Sequence, residues 1–153
     1  MLAMLSYFIR GEMLTGLVDG KTFATHAVSG FGRGWQRSTD EPPDVPRGQA
    51  ALNYVAKESW GPIPPGFYKV RRPEQVGRGR FARIDSHLGP PAYGRHDFEI
   101  HGRAPHEHHG QFHTHASHGC IVPTDPAQFN NLLDSLATVA PGHTHVATLR
   151  VFE

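Results

Sequence analysis

The sequence predicts a mainly β domain with one or two short helices, and three observations predict it. Gly 17 and Pro 13 fill 30 of the 153 positions, an excess that suits many chain reversals and short strands rather than a helix bundle. Apolar and polar residues alternate over several short runs, the period of a half-buried strand. Only one segment repeats its apolar residues convincingly with the period of a helix. The length and a hydrophobic share of 38% suit one domain over residues 1–153, with no internal repeat and no linker long enough to divide it.

The elements follow in order. MLAMLSYFIRGEML reads as a first strand rather than a signal peptide, because it lacks a basic leading region and a small-residue cleavage site. Ser6 to Ser29 reads as a β-hairpin about Asp19-Gly20, the dipeptide that best supplies the positive φ angles of a tight turn. Residues 30–49 (GFGRGWQRSTDEPPDVPRGQ) read as a surface loop and 50–58 (AALNYVAKE) as a short helix. Gly61-Pro62-Ile63-Pro64-Pro65-Gly66 prescribes a rigid extended turn. It leads into a strand from Phe67 to Arg71, with further strands expected at 80–85, 97–101, 119–122 and 145–152. The segment 71–83 (RRPEQVGRGRFAR) reads as a solvated turn between two strands. The convincing helix has Asp125 as its cap and Pro126 at its first position. Phe129, Leu132, Leu133, Leu136 and Ala140 share one of its faces, and Pro141-Gly142 ends it.

Composition excludes several functions. Lys+Arg 15 against Asp+Glu 14 leaves a net charge of +1, without the basic excess of a nucleic-acid binder. Protonating the 12 histidines raises that charge to +13, so the surface responds to mild acid. No apolar run approaches the roughly 20 residues that span a bilayer, so no membrane insertion is expected. Cys120 is the only cysteine, which rules out an intramolecular disulfide and a cysteine-based zinc cluster.

Three segments carry side chains capable of chemistry. Ser117-His118-Gly119-Cys120-Ile121 follows Ile100-His101-Gly102. A thiol needs a base or cationic partner to act as a nucleophile, and His101 serves if the intervening loop folds back. Consecutive N–H groups at His118, Gly119 and Cys120 can receive an oxyanion. The plainer reading is a buried cysteine near a loop histidine. The second segment holds His106, His108, His109, His113, His115 and His118. It departs from the H-E-x-x-H zinc helix because Gly110 stands where the second histidine belongs. A solvated polar loop is favoured over a metal site. The third, residues 71–83, has the arginines and glycines to hold a phosphate or carboxylate and is given little weight in catalysis.

The order H-G, loop, S-H-G-C resembles the active-site signature of L,D-transpeptidases of the YkuD type. Pro65-Gly66-Phe67-Tyr68 resembles the Gly-Pro turn and strand that recur in that family. Ser29-Gly30-Phe31-Gly32, GPIPPG-x-Y, F-x-IHG and S-x-GCIV resemble the small branch of type VI secretion L,D-transpeptidase effectors, over roughly residues 5–125. The resemblance implies an L,D-transpeptidase-like β-sandwich or barrel acting on peptidoglycan stem peptides. It implies Cys120 as nucleophile and His101 as general base, its ring oriented by the Gly102 carbonyl. It further implies an oxyanion hole in the turn Ser117, His118, Gly119 and Cys120, where His118 shapes the turn or touches substrate. A thioester forms, and water or an amine resolves it as L,D-carboxypeptidase or L,D-transpeptidase activity, with no cofactor and no metal. Ile121-Val122-Pro123 follows the cysteine where other members often carry a basic or amide residue, leaving Arg95 and Arg103 as candidates for the substrate carboxylate.

The effector resemblance also implies synthesis in the bacterial cytoplasm without a signal peptide and action in the periplasm of a target cell. An immunity protein and a component of the secretion apparatus are the partners it implies. Two other classes stand beside this one: a metal-dependent hydrolase or metal-binding module built on the loop histidines, and a non-catalytic cell-wall-binding module.

Overall fold

The computed structural model describes residues 1–29, 62–76, 79–87, 97–102, 106–108, 111–113 and 119–153. The surface loop expected at 30–49 and the short helix expected at 50–58 lie outside them. Among the described residues the fold is mainly β with one helix, the mainly β class that the sequence predicts.

The chain begins with a meander of β1 (Ala3–Phe8), β2 (Met13–Val18) and β3 (Lys21–Ser29). Asp19 and Gly20 both take positive φ, 51° and 74°, and let β2 turn directly into β3. The expected hairpin from Ser6 is instead divided into three strands. Glu12 adopts φ 51° and its N–H donates to Ile9 O at 3.3 Å, so the chain reverses at Arg10-Gly11 as well.

Next come β4 (Gly66–Arg71), β5 (Glu74–Val76), β6 (Gly79–Ser86) and β7 (Phe98–His101). The segment 71–83, expected as a solvated turn, contains β5 and the start of β6, paired from Glu74↔Phe81 to Val76↔Gly79. Its arginines decorate a strand: Arg83 pairs with Glu74 at 3.0 Å and lies over the Phe81 ring. The histidine segment, expected as a polar loop, carries a small ladder of β8 (His106–His108) and β9 (Gln111–His113).

The strand expected at 119–122 begins two residues later, as β10 (Ile121–Pro123). Helix α1 (Pro126–Thr138) follows, and β11 (His145–Phe152) closes the chain. The Asp125 carboxylate accepts from the N–H groups of Ala127 at 2.9 Å and Gln128 at 3.4 Å, as an N-cap should. The helix stops short of the expected Ala140, which takes φ 45°. A residue before proline is excluded from the helical region by the ring of Pro141. Arg72 then supplies the cation the last turn lacks, donating to the carbonyls of Ala137, Val139, Ala140 and His143.

The strands run in the order β4-β11-β1-β2-β3-β10-β7-β6, and pairing of β4 with β6 closes them into an eight-stranded barrel. Two pairs are parallel, β1 with β11 and β7 with β10. Tyr7, Leu14, Ile84, Ile100 and Leu149 point into a single core, which takes up the apolar face of α1 through Phe129, Leu132, Leu133 and Leu136. The buried Tyr7 hydroxyl donates to Ala27 O at 3.1 Å. Among the described residues no helix is long and apolar enough to cross a membrane.

Asp85 of β6 staples the barrel closure, accepting from Arg71 of β4 and, at 2.8 Å, from His145 of β11. Burial pushes its carboxyl up, but the hydrogen bonds from Arg71 and His145 outweigh it and hold the group below the usual aspartate range. A carboxylate so lowered stabilises the fold above the ordinary aspartate value of about 3.9 and loses that contribution as pH falls through its folded value. Asp85→Asn is therefore expected to flatten the acid limb of stability. Urea midpoints measured from pH 7 down to pH 2 check this; an unchanged slope refutes it.

Candidate active site

The site is built on β10, a strand of 3 residues whose side chains are all buried. Ile121 pairs with Ser29 on one side and with Ile100 on the other. Strand β7 alternates, with Phe98 and Ile100 in the core and Glu99 and His101 partly exposed on the opposite face. Cys120 immediately precedes Ile121, so it belongs to the same face as His101 and is likewise partly exposed. Because the pairing is parallel, Cys120 is in register with Glu99 and His101 with Val122. The two Cα atoms thus stand diagonally, two residue rises along and one strand spacing across, about 8 Å apart. Diagonal neighbours at that separation are within reach of a long side chain such as that of histidine.

His101 Nδ1 is 2.9 Å from Gly102 O. A carbonyl only accepts, so Nδ1 carries the proton, and in the neutral ring Nε2 presents its lone pair. Gly102 follows directly and packs beneath the helix: a Cβ at this position would lie 2.9 Å from Phe129 Cε1. The glycine after the histidine is thus the point where α1 meets the end of β7.

Gly119 is buried and has φ 109°, a conformation that glycine alone adopts readily. Its carbonyl accepts from Ser29 Oγ at 2.8 Å, and Ser29 Oγ in turn accepts from Ile63 N–H at 2.8 Å. Ser29 is only 7% exposed. One hydroxyl therefore joins the end of β3, the Pro-rich turn and the residue before the cysteine. The turn is held from its other side, since Tyr68 hydroxyl donates to Pro64 O at 2.6 Å and the Tyr68 ring meets Phe98 edge-on.

The two residues in register with His101 on its flanking strands are apolar, Phe81 on β6 and Val122 on β10. Val122 pairs in turn with Val28. All three apolar residues are buried, although they stand apart from the main core cluster.

Of the residues expected at the site, the structure brings His101, Gly102, Gly119 and Cys120 together at the adjacent ends of two paired strands. Ser117, His118, Arg95 and Arg103 lie outside the described residues. His106 stands opposite His113 in the β8–β9 ladder, while His109 and His115 also lie outside them. Among the described residues no three His, Cys, Asp or Glu side chains gather to hold a metal ion. Sequence reasoning did not foresee the parts played by Ser29 and Phe129. Ser29 lay within a quoted motif, but nothing in the motif discloses a bond to a residue 90 positions away.

Three solved structures are similar to this chain over nearly all of it. An L,D-transpeptidase from Mycobacterium smegmatis aligns with 99% of the chain and 58% of its own length, at 15% identity and a TM-score of 0.49. The LD transpeptidase LdtMt1 in complex with imipenem aligns with 99% and 59%, at 14% identity and a TM-score of 0.49. The L,D-transpeptidase from Xylanimonas cellulosilytica aligns with 98% and 60%, at 15% identity and a TM-score of 0.47. The chain thus spans about three fifths of the length of these proteins. No protein-family model matches it, and no curated protein sequence does.

Gly102→Ala is expected to lower stability by about 1–3 kcal/mol, because the new methyl overpacks against the Phe129 ring. Phe129→Leu in the same chain should recover part of that loss relative to the sum of the two single changes. Urea unfolding of the four-member cycle measures it, and strict additivity refutes the contact.

Proposed function

We propose that this domain is a Cys/His acyl-transfer enzyme of the L,D-transpeptidase type that acts on the tetrapeptide stems of peptidoglycan. The observation that carries the reading is the register of β10 on β7. That pairing sets the thiol and an imidazole with its Nδ1 already committed on one face of adjacent strands.

His101 Nε2 takes the proton of Cys120 Sγ, and the sulfur forms a bond to the carbonyl carbon that links the L-centre of the diamino acid to the terminal D-alanine. The charge that develops on the carbonyl oxygen is received by backbone N–H groups of residues 117–120. Collapse breaks the C–N bond, and the departing amine of D-alanine takes back the proton from His101. A thioester on Cys120 remains. Water releases the tripeptide and restores the thiol, which is L,D-carboxypeptidase activity. The amine of a free D-amino acid gives exchange, and that of a second stem gives a crosslink.

The biological setting we propose is that of an antibacterial effector: delivery by a contact-dependent secretion machine into the periplasm of a target cell, with an immunity protein protecting the producer. The motif set Ser29-Gly30-Phe31-Gly32, GPIPPG-x-Y, F-x-IHG and S-x-GCIV supports this setting.

Purified tetrapeptide muropeptides incubated with the wild type are expected to lose one alanine or exchange it for an added D-amino acid, as read by mass spectrometry. Cys120→Ala abolishes the change. His101→Ala slows it by about three orders of magnitude, the scale on which a positioned base contributes. Turnover surviving in Cys120→Ala, or lost on treatment with a chelator, overturns the mechanism in favour of the histidines and a metal. A folded wild type that binds the stems without changing them marks a wall-binding module instead.

A further inference from the structure

The buried Ser29 hydroxyl does more than join three segments, because its two hydrogen bonds have only one possible polarity. Gly119 O is a carbonyl and Ile63 N–H a donor, so Ser29 donates to the first and accepts from the second, each at 2.8 Å. The hydroxyl proton therefore has a fixed address. The peptide unit that contains Gly119 O also contains the N–H of Cys120. A trans peptide is planar, with its C=O and N–H directed oppositely, and the chain has no cis peptide among the described residues. Holding the carbonyl towards Ser29 consequently holds the Cys120 N–H away from it. Ser29 pairs with Ile121 and shares its core-facing side of the strands, whereas Cys120 lies on the other face.

This matters because Gly119, at φ 109°, has no Cβ to restrict its backbone. A glycine peptide is free to rotate unless a partner holds its carbonyl. Within the described residues Ser29 is that partner, and the Ile63 N–H fixes the rotamer of the serine in turn.

We propose that Ser29 is a positioning residue for acyl transfer: by anchoring Gly119 O, it aims the N–H of Cys120 at the oxyanion that forms when Cys120 is acylated. The inference rests on the reading of Cys120 as the acylated thiol, but not on peptidoglycan as the substrate. It separates two reactions of one sulfur. Alkylation by iodoacetamide forms an S–C bond and expels iodide without developing an oxyanion. Acylation by p-nitrophenyl acetate forms an S–C bond at a carbonyl carbon, passes through a tetrahedral oxyanion and expels p-nitrophenolate, while the thiol proton goes to His101 and then to solvent. Only the second reaction needs the N–H in its place.

The experiment measures both rates at Cys120 on the full chain by peptide mass, and takes their ratio. In Ser29→Ala the ester rate is expected to fall about tenfold or more, within the range that removal of an oxyanion donor produces, while alkylation stays within about twofold of wild type. Ser29→Thr, which keeps the hydroxyl, is expected to restore the ratio. Should Ser29→Ala fail to fold, Ser29→Cys reads the same ratio, because it retains the size of the side chain and weakens the donor; peptide mapping separates residue 29 from Cys120. An unchanged ratio in a folded variant overturns the proposal. So does a parallel fall of both rates, which would make Ser29 a structural tie of the whole segment. A wild type that reacts with the ester faster than free cysteine yet leaves muropeptides untouched overturns the substrate reading and leaves this ratio to judge Ser29. A wild-type thiol no faster than free cysteine with the ester overturns both.

Discussion

The arrangement hangs on the pairing of Ile121 with Ser29 on one side and Ile100 on the other. A strand of 3 residues has little intrinsic preference for its place, and what holds it is burial of Ile121, Val122 and Pro123 together. A slip of one residue would turn Ile121 away from the core and drive Cys120 into it. That penalty locks the register, and the register alone decides that Cys120 and His101 share a face. The barrel depends on the same pairing, because β10 joins β3 of the meander directly to β7, completing the ring that β4 and β6 close on the other side.

Around that pairing, long-range contacts of small groups set the local geometry. The helix reaches the site through one ring: a Cβ on residue 102 would press within 2.9 Å of Phe129, so the glycine lets α1 close on the carbonyl that holds the His101 ring. The helix is itself secured at both ends. Asp125 caps its N–H groups, and Arg72, which follows β4 and lies 65 positions before Ala137, collects carbonyls at its far end. A helix tied so firmly gives Gly102, and through its carbonyl the His101 ring, a fixed backing. Across β10, Ser29 binds the Pro-rich turn to the peptide before Cys120, and Tyr68 braces that turn against β4. Histidine and cysteine are thus each supported from a different layer of the fold.

Much of this was legible along the chain. The Asp-Gly turn, the Asp125-Pro126 helix start and the strands expected at 67–71, 80–85, 97–101 and 145–152 follow from local chemistry, and the structure has strands within a residue of each. The readings that failed share one cause. Residues 71–83 read as a solvated turn because their arginines hide a strand whose outer face is solvated. The first hairpin concealed a second reversal because Glu12, not a glycine, takes the positive φ. The helix ended before Ala140 because the proline that terminates it also constrains the residue ahead of it. In each case backbone pairing or a neighbouring ring overrode what residue type alone implied.

At the site the division is similar. The sequence by itself determined which groups are available: one thiol, a histidine at the end of an alternating strand, glycines on both sides of the chemistry, and a serine where β3 ends. It also determined the conformations that depend on a single residue, such as the left-handed backbone open to Gly119. Only the tertiary structure decided which of these groups meet. The register of β10 between β3 and β7, the Ser29 hydroxyl shared by Ile63 and Gly119, and the seat of Phe129 on Gly102 join residues separated by 21 to 96 positions. No local preference encodes such meetings; they follow from burying one core, which selects a single pairing out of the many that the strands allow.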